Sequence, residues 1–294
     1  MDQDGKARSG KTEKLLSYGI YTLSMLIFGT NGVLVARLSL PASQIVLLRT
    51  LLGGALLTLI VLLRGGFDRE ALRADAVPLL LGGALLGANW VALFEAFRML
   101  NISLATLIYY VGPMLVLLFS PLLFGEKLTG AKLAAVGIVA VGLVCISGSI
   151  ALGGMSVPGL FVAILSALFY GSLIVFNKRI VRTGGLQTAA IELDAAFLVV
   201  LLYVLLTAGL PHPTRADLPY LAVIGLSNTG LAYLLYFTGM RKLPAQSVAL
   251  ISYVDPASAL LFSALLLHET LTPLQLLGGA LILGGALFGE LRRR

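Results

Sequence analysis

The first stretch of this 294-residue sequence with residue types suited to chemistry is GKARSGKT, residues 5–12. It fits the pattern Gly, four residues, Gly-Lys-Thr, in which backbone N–H groups cradle the phosphates of a nucleotide. That loop works when a buried strand delivers it to the N-terminus of a helix. Only four residues precede Gly5, and apolar sequence follows almost at once. We therefore predict that residues 5–12 bind no nucleotide.

An acidic residue inside an apolar segment is the second chemical feature. Asp255 lies about halfway along the apolar run 246–267, directly before Pro256. A carboxylate at that depth in a membrane costs from about 3 kcal/mol upwards, so such residues usually have a function. Asp255 is suited to carry a proton or to pair with a substrate ammonium. The alternatives are a structural ion pair with Arg49 or a cap for a broken helix.

Three further acids lie in apolar runs. Glu95 has Arg98 three residues later, so a local surface pair is as good an interpretation as a function. Glu192 and Asp194 lie a turn or two inside a later run, where they can snorkel towards the interface or meet Lys178. We rank these two acids below Asp255.

Aromatic and polar side chains cluster on the same apolar runs. Such rings can line a cavity and hold an ammonium by cation–π attraction, although tyrosines near membrane ends also form interface belts. Polar groups in lipid must find partners or line water. The predicted substrate-binding or translocation residues are Asp255, Trp90, Glu95, Tyr109, Tyr110, Tyr233, Tyr236, Tyr170, Asn31 and Ser252.

Composition indicates where these residues reside. The chain is 58% hydrophobic and 12% charged, whereas a soluble globular protein carries about 25% charged residues. With a mean hydropathy of +0.97, it requires lipid as its solvent. Cys145 is the only cysteine, and His212 and His268 are the only histidines. We therefore predict no disulfide framework, no metal and no cofactor.

A helix needs about 20 apolar residues to cross the hydrocarbon core, and the sequence contains ten such segments. We predict an all-α membrane protein with spans at roughly 17–37, 42–63, 77–99, 102–123, 131–148, 158–177, 186–208, 217–240, 246–267 and 273–290.

The basic residues orient these spans and do not indicate nucleic-acid binding. Cytoplasmic loops carry an excess of Lys and Arg, and 17 of the 21 basic residues fall on one side of the predicted membrane. The other side receives Arg37, Arg98 and Arg215, and Arg49 lies within a span. We predict a multi-pass protein of the plasma (inner) membrane with both termini cytoplasmic.

The sequence repeats itself at an offset of 143 residues. LIYYVGPMLVLLFSPLLFGEKLT at 107–129 matches LISYVDPASALLFSALLLHETLT at 250–272. Each half holds five spans, and because five is odd the second half enters the membrane inverted. Pro113 and Pro256 correspond, and each frees a helix carbonyl. Matched breaks of this kind point to a transport site, although a kink used only for packing is the alternative.

The two halves, the YVGP and YVDP segments and the GEKLT and HETLT endings resemble the drug/metabolite transporter superfamily, and within it the EamA-type permeases. The resemblance covers residues 15–290. It implies a secondary transporter that moves a small organic solute, such as an amino acid or related metabolite, by export, driven by exchange or proton coupling.

The predicted organisation is a basic cytoplasmic tail (1–14), a first repeat (15–150), a second, inverted repeat (151–290) and a basic end (291–294). Within the transporter class, an organic amine or quaternary ammonium substrate is an alternative. A membrane-embedded enzyme or a structural subunit is the alternative of another class, and we predict that the chain is not an enzyme. Solute identity, coupling ion and oligomeric state are left open.

Overall fold

A computed structural model describes residues 3–100, 102–147, 156–268 and 270–292. All regular secondary structure in these residues is helical. The helices run over Gln3–Gly29, Asn31–Val35, Ala42–Leu63, Arg69–Ala74, Ala76–Met99, Ile102–Tyr109, Val111–Phe124, Gly130–Ser147, Val157–Asn177, Gly185–Thr207, Leu218–Ala222, the π-helix Val223–Leu231, Ala232–Met240, Ala245–Ile251, Val254–Leu266 and Pro273–Leu291.

Ten helical segments in the described residues are long and apolar enough to cross a membrane, which confirms the predicted number. Spans one to ten are Thr12–Val35, Ala42–Leu63, Ala76–Met99, Leu104–Phe124, Gly130–Ser147, Val157–Asn177, Gly185–Thr207, Leu218–Met240, Ala245–Leu266 and Pro273–Leu291. We call the end of the bundle where span one begins and span ten ends the terminal face.

Span one shows the largest difference from the predicted boundaries. The apolar run was predicted to begin near residue 17, and its helix extends back to Gln3. The reason is that a helix continues through polar residues beyond the lipid, where apolar content no longer marks it. Residues 5–12 are therefore helical, with no loop before a helix N-terminus. The nucleotide-binding pattern lacks the cradle that its chemistry requires.

Spans four and nine are each interrupted at the predicted repeat-related place. Span four breaks at Tyr110, between Ile102–Tyr109 and Val111–Phe124. Span nine breaks at 252–253, between Ala245–Ile251 and Val254–Leu266. A proline follows each break within a turn, and its missing N–H removes one helix hydrogen bond. The residues at the breaks are nevertheless buried, with Tyr110 at 7%, Ser252 at 0% and Tyr253 at 1% exposure. In span nine the carbonyl of Ser252 accepts the N–H of Asp255 at 3.2 Å.

The halves interlock through pairs of spans. Span three packs on span six, span eight on spans one and two, span seven on spans two and three, and span five on span ten. Close approach at the last contact depends on glycine: a Cβ at Gly278 would lie 2.7 Å from the carbonyl oxygen of Gly142. Small residues of this kind let membrane helices pack backbone against backbone.

Two carboxylates, Asp75 and Asp217, join the halves outside the spans; they are 142 residues apart, one residue short of the repeat offset. Asp75 accepts N–H groups of Arg182 and Thr183 at 2.8 and 2.6 Å on the terminal face. Asp217 accepts the N–H of Ser39 at 2.9 Å on the opposite face, and Ser39 is the repeat counterpart of Arg182. Burial acts to raise the pKa of Asp75, but the backbone donors outweigh it and the net pKa is below the ordinary value. The N–H of Ser39 likewise holds the pKa of Asp217 well below its usual range.

Candidate functional site

A central cavity of about 90 Å³ lies where the two halves meet. Spans one, two, three, four, six, eight and nine contribute residues to it. The lining is mostly aromatic, with two charged and two amide side chains. The lining residues are Phe28, Asn31, Arg49, Leu86, Asn89, Trp90, Tyr109, Tyr170, Leu173, Tyr233, Tyr236 and Asp255.

Arg49 is the cation of the cavity and has no anionic partner. It is buried at 9% exposure, and its guanidinium carbon lies 4.5 Å from the centre of the Trp90 ring. Its Nε has no hydrogen-bond partner, and the ion pairs within 4.0 Å among the described residues do not include Arg49. Cation–π contact with Trp90 compensates part of its lost hydration. The free face of the guanidinium is therefore available to an anion in the cavity.

Asp255 is the anion of the cavity, and the first half holds it in place. The hydroxyl of Tyr110 donates to Asp255 Oδ2 at 3.2 Å. Tyr253, the repeat counterpart of Tyr110, donates its hydroxyl to the carbonyl oxygen of Tyr110 at 2.8 Å. These bonds link the breaks of spans four and nine directly. An ion pair between Asp255 and Arg49 is not formed within 4.0 Å, so that structural alternative is not supported.

The aromatic walls come from both halves. Tyr109 stacks on Tyr170 with ring centroids 4.8 Å apart and an interplanar angle of 5°. Trp90 meets its repeat counterpart Tyr233 edge to face at 5.7 Å, and Phe28 lies 4.8 Å from Tyr233. The rings therefore form a rigid box around the two charges, since aromatic side chains have few rotamers to lose.

Asn31 is positioned by an irregular part of span eight. Span one breaks at Thr30, opposite the π-helix Val223–Leu231. The side-chain amide of Asn228 donates to Ile27 O at 2.9 Å, Thr30 Oγ1 at 2.7 Å and Asn31 Oδ1 at 3.1 Å. A π-helical turn frequently marks a functional site, and here its amide satisfies the backbone that the break exposes.

Three predicted residues lie outside the cavity lining, namely Tyr110, Glu95 and Ser252. Tyr110 acts through its hydrogen bond to Asp255. Glu95 pairs with Arg98 at 2.9 Å and accepts the hydroxyl of Tyr203, which is the local pair that its spacing indicates. Ser252 bonds the hydroxyl of Tyr21 at 3.0 Å and donates to the carbonyl of Val248 at 2.8 Å. Ser252 thus stabilises the break in span nine from a position outside the cavity lining.

The two acids of span seven have other surroundings than the sequence predicted. Glu192 is fully buried and does not snorkel; the side-chain amide of Asn177 donates to it at 3.0 Å. Asp194 accepts the hydroxyl of Thr58 at 2.6 Å. Lys178 meets neither acid, because its ammonium donates to the carbonyls of Met240 and Leu243.

Sequence reasoning assigned no role in the cavity to Phe28, Asn89 or Arg49. Arg49 carried a usable signal, since a charge inside an apolar run is a functional candidate whichever its sign. Asn89 carried a weaker sequence signal, as an amide in the apolar run that holds Trp90. In the structure its side-chain amide donates to the carbonyl of Ser166 at 2.8 Å and so ties span three to span six. Phe28 is one of many apolar residues in span one, and nothing in its spacing marks it.

A larger groove of about 330 Å³ lies between spans four and six. Its lining is apolar and includes Phe119, Leu122 and Leu168, which are exposed. It has no charged side chain to recognise a solute, and in a membrane its open side faces lipid tails. The smaller central cavity is therefore the better candidate for chemistry.

The GEKLT ending of span four ties the terminal face together. The Glu126 carboxylate accepts the N–H groups of Ala245 at 2.6 Å and Gln246 at 3.0 Å, at the start of span nine. The side-chain amide of Gln246 in turn donates to Ser120 of span four. These bonds hold the terminal-face ends of spans four and nine against each other. The counterpart of Glu126 in the repeat, Glu269, lies outside the described residues.

Ten spans in two related halves, with matched helix breaks around a buried charged cavity, define a membrane transporter of the inverted-repeat type. The chain belongs to the EamA-like transporter family, whose model matches residues 16–148 and again residues 157–289.

Two relatives in Bacillus subtilis (strain 168) bear the names of transporters. The chain is 27% identical over 276 residues to "uncharacterized transporter YxxF", covering 92% of this chain and 88% of that protein. It is 28% identical over 125 residues to "uncharacterized transporter YcbK", covering 40% of each. A crystal structure described only as that of a protein shares the fold, with a TM-score of 0.84 at 24% identity over 95% of this chain and 99% of that one.

Proposed function

We propose that this transporter is a secondary carrier that exports a small zwitterionic metabolite, such as an amino acid, by alternating access. The observation that carries the proposal is the pair of opposite charges in one cavity that do not pair with each other, Arg49 and Asp255. A buried charge without a partner is costly. A solute with a carboxylate and an ammonium supplies both missing partners at once.

Each group of the cavity suits one end of such a solute. The guanidinium fork of Arg49 matches a carboxylate, and its stacking on Trp90 fixes the direction of the fork. Asp255 suits an ammonium, which the tyrosine rings further stabilise by cation–π attraction. The organic-cation alternative is less well supported, because Arg49 would repel a solute that has no carboxylate.

The size of the cavity supports alternating access. Its volume of about 90 Å³ corresponds to about three water molecules at about 30 Å³ each. Ligand pockets usually reach about 300 Å³ or more. A metabolite therefore enters only when the halves move apart, and the bonds between spans four and nine on the terminal face are suited to open and close with that movement.

The basic residues support a location in the plasma membrane with the terminal face in the cytoplasm. The tail and the loops of that face carry most of the Lys and Arg residues, as expected for cytoplasmic loops. Transport driven by exchange or by proton coupling requires no nucleotide. We further propose the predicted division into repeats, 15–150 and 151–290, as the two moving units.

Trp90, the only tryptophan of the chain, reports solute binding without a label because it lies in the cavity. We expect α-amino acids to quench its fluorescence in the purified protein. They should bind at least about tenfold more tightly than analogues lacking either the amine or the carboxylate, since a charge-assisted hydrogen bond contributes about 1.5–3 kcal/mol. Fluorescence titration with each amino acid and its two analogues, one without the amine and one without the carboxylate, measures these affinities. Solute flux into proteoliposomes tests transport. Equal binding of an amine that lacks the carboxylate would contradict the zwitterion proposal.

The tie on the terminal face makes a separate prediction. Glu126→Ala removes the acceptor of two N–H groups at the start of span nine, and loss of a helix cap costs about 1 kcal/mol. We expect the terminal-face opening to become about fivefold more populated. The measurement is the rate at which a maleimide reaches Ala249→Cys, a buried position one turn into span nine, in a Cys145→Ser background.

Glu70→Ala is the matched control for this measurement, because Glu70 is an exposed acid on the same face. It should leave the maleimide rate unchanged. An unchanged rate in Glu126→Ala as well would show that these bonds do not hold the terminal face closed.

A further inference from the structure

A second polar site lies in span seven, apart from the central cavity. Glu192 and Thr188 are one helical turn apart on the same face, with 0% and 1% exposure. Glu192 Oε1 and Thr188 Oγ1 both lack a hydrogen-bond partner. Asn177 donates to the other carboxylate oxygen, Glu192 Oε2, at 3.0 Å. Two fully buried oxygens on neighbouring turns are thus left without a donor.

The backbone of span three makes room for this carboxylate. A Cβ at Gly82 would overlap the carboxylate of Glu192, and its next neighbour would be Asn177 Nδ2 at 3.2 Å. The site is therefore enclosed by spans three, six and seven. The oxygens left for a cation are those of a carboxylate and a hydroxyl, and the neighbouring Asn177 amide orients the carboxylate through its Nδ2.

No cation of the protein neutralises Glu192 among the described residues, whose ion pairs do not include it. Lys178 follows Asn177 in sequence but is engaged by backbone carbonyls. Asp194 bonds span two instead, through Thr58. From span eight, the ionisable group that interacts with Glu192 is the Tyr233 phenol, which supplies no positive charge. A bare carboxylate in this place is strongly unfavourable, so a bound cation or proton must neutralise it.

The site lies directly beside the central cavity, towards the terminal face. Gly82 is one turn before Leu86 in span three, and Asn177 is one turn after Leu173 in span six. Leu86 and Leu173 both line the cavity, and Asn177 Nδ2 also donates to the carbonyl of Leu173 at 3.2 Å. Two leucines therefore separate Glu192 from the solute, on the side that faces the closed end of spans four and nine.

We propose that Glu192 and Thr188, with the carboxylate oriented by Asn177, bind the monovalent cation that drives transport, a proton or Na⁺. Both cations satisfy the unpartnered oxygens and neutralise the buried carboxylate. Opening of the terminal face admits water past the two leucines, and Glu192 then exchanges its cation with that side. The assignment rests on the proposed function, and it separates the ion site at Glu192 from the solute site at Asp255 and Arg49.

The test uses proteoliposomes with two assays on the same variants: solute exchange without a gradient, and uphill accumulation driven by a pH or a Na⁺ gradient. We expect Glu192→Gln to keep exchange within about threefold of wild type, as a neutral isostere should. Gradient-driven accumulation should fall by at least about tenfold, the size of a typical coupling. Asp194→Asn is the matched control, because it removes an acid two residues away on the same helix, and it should retain the gradient response.

A second measurement covers the case in which Glu192→Gln does not fold. Dicyclohexylcarbodiimide adds to protonated carboxyls in apolar surroundings, and peptide mass spectrometry of the wild-type protein locates the adduct. We expect an adduct on Glu192 that increases as pH falls. Protection by Na⁺ identifies Na⁺ as the driving cation, and protection by high pH alone identifies the proton.

The proposal is overturned if folded Glu192→Gln retains gradient-driven accumulation, or if the wild-type adduct is absent or independent of both pH and Na⁺. Failure of the proposed function looks different, since the wild-type protein would then exchange no solute in the absence of a gradient.

Discussion

Asp255→Asn is expected to reduce solute flux by at least about thirtyfold in proteoliposomes. Asparagine keeps an acceptor for the Tyr110 hydroxyl but removes the negative charge that we propose pairs with the solute ammonium. Loss of one partner of a buried charged contact costs about 2–5 kcal/mol, and each 1.4 kcal/mol is about tenfold in affinity. Titration of Trp90 fluorescence should show the same loss in solute affinity.

Glu95→Gln provides the control for Asp255→Asn. It also removes an intramembrane acid, but Glu95 is paired with Arg98 and is not part of the cavity lining. Because exposed ion pairs contribute about 0–1 kcal/mol, its flux should stay near that of wild type. If Asp255→Asn transports as well as Glu95→Gln, Asp255 has no part in solute binding.

Gly278→Ala is expected to destabilise the protein by about 1–3 kcal/mol, the usual cost of overpacking a close contact. Its Cβ would lie 2.7 Å from the carbonyl oxygen of Gly142, 2.9 Å from the Cβ of Cys145 and 2.9 Å from a side-chain carbon of Ile146. Spans five and ten must then separate. Thermal unfolding in detergent, monitored as the fraction of protein that remains monodisperse, measures the loss of stability.

Gly284→Ala is the matched control on the same helix, since no atom lies within 4 Å of a Cβ built there. Alanine is favoured over glycine in a helix by about 1 kcal/mol, so this variant should be as stable as wild type or slightly more so. Equal losses of stability in the two variants would show that the Gly142–Gly278 contact does not cause the effect.

The two substitutions are expected to separate function from packing. Asp255 lies where the halves meet and is the residue proposed to recognise the solute, whereas Gly278 lies where spans five and ten hold the halves together. Loss of flux with unchanged thermal stability in Asp255→Asn, and loss of stability in Gly278→Ala, would support this division.

Much of the fold could be predicted because its signals are local. Long apolar runs define ten spans, since lipid demands about 20 apolar residues from each. The repeat at an offset of 143 residues predicts two halves, and Pro113 and Pro256 predict their breaks because proline removes a backbone donor wherever it occurs. The helix of span one begins before the predicted apolar run, because helix continues into polar sequence that composition does not mark.

The cavity residues were predicted less completely than the fold. Asp255, Trp90 and five other predicted residues line the cavity, because charged and aromatic groups in apolar runs are conspicuous. The same criterion also selected Glu95, which forms an ion pair with Arg98 outside the cavity lining. It assigned no role in the cavity to Arg49. A charge in a span is visible in sequence, but the direction in which it points is not.

The sequence by itself determined the solvent of this protein, the number of its spans and the symmetry of its halves, because each follows from composition or from repetition along one chain. The tertiary structure alone decided which charges are paired. It left Arg49 and Asp255 in one cavity without an ion pair, buried Glu192 beside Asn177, and set Asn228 against Asn31, 197 residues away. The physical reason is that helix rotation and packing arise from contacts between distant residues, and an apolar helix carries little amphipathic pattern to reveal which side faces its neighbours.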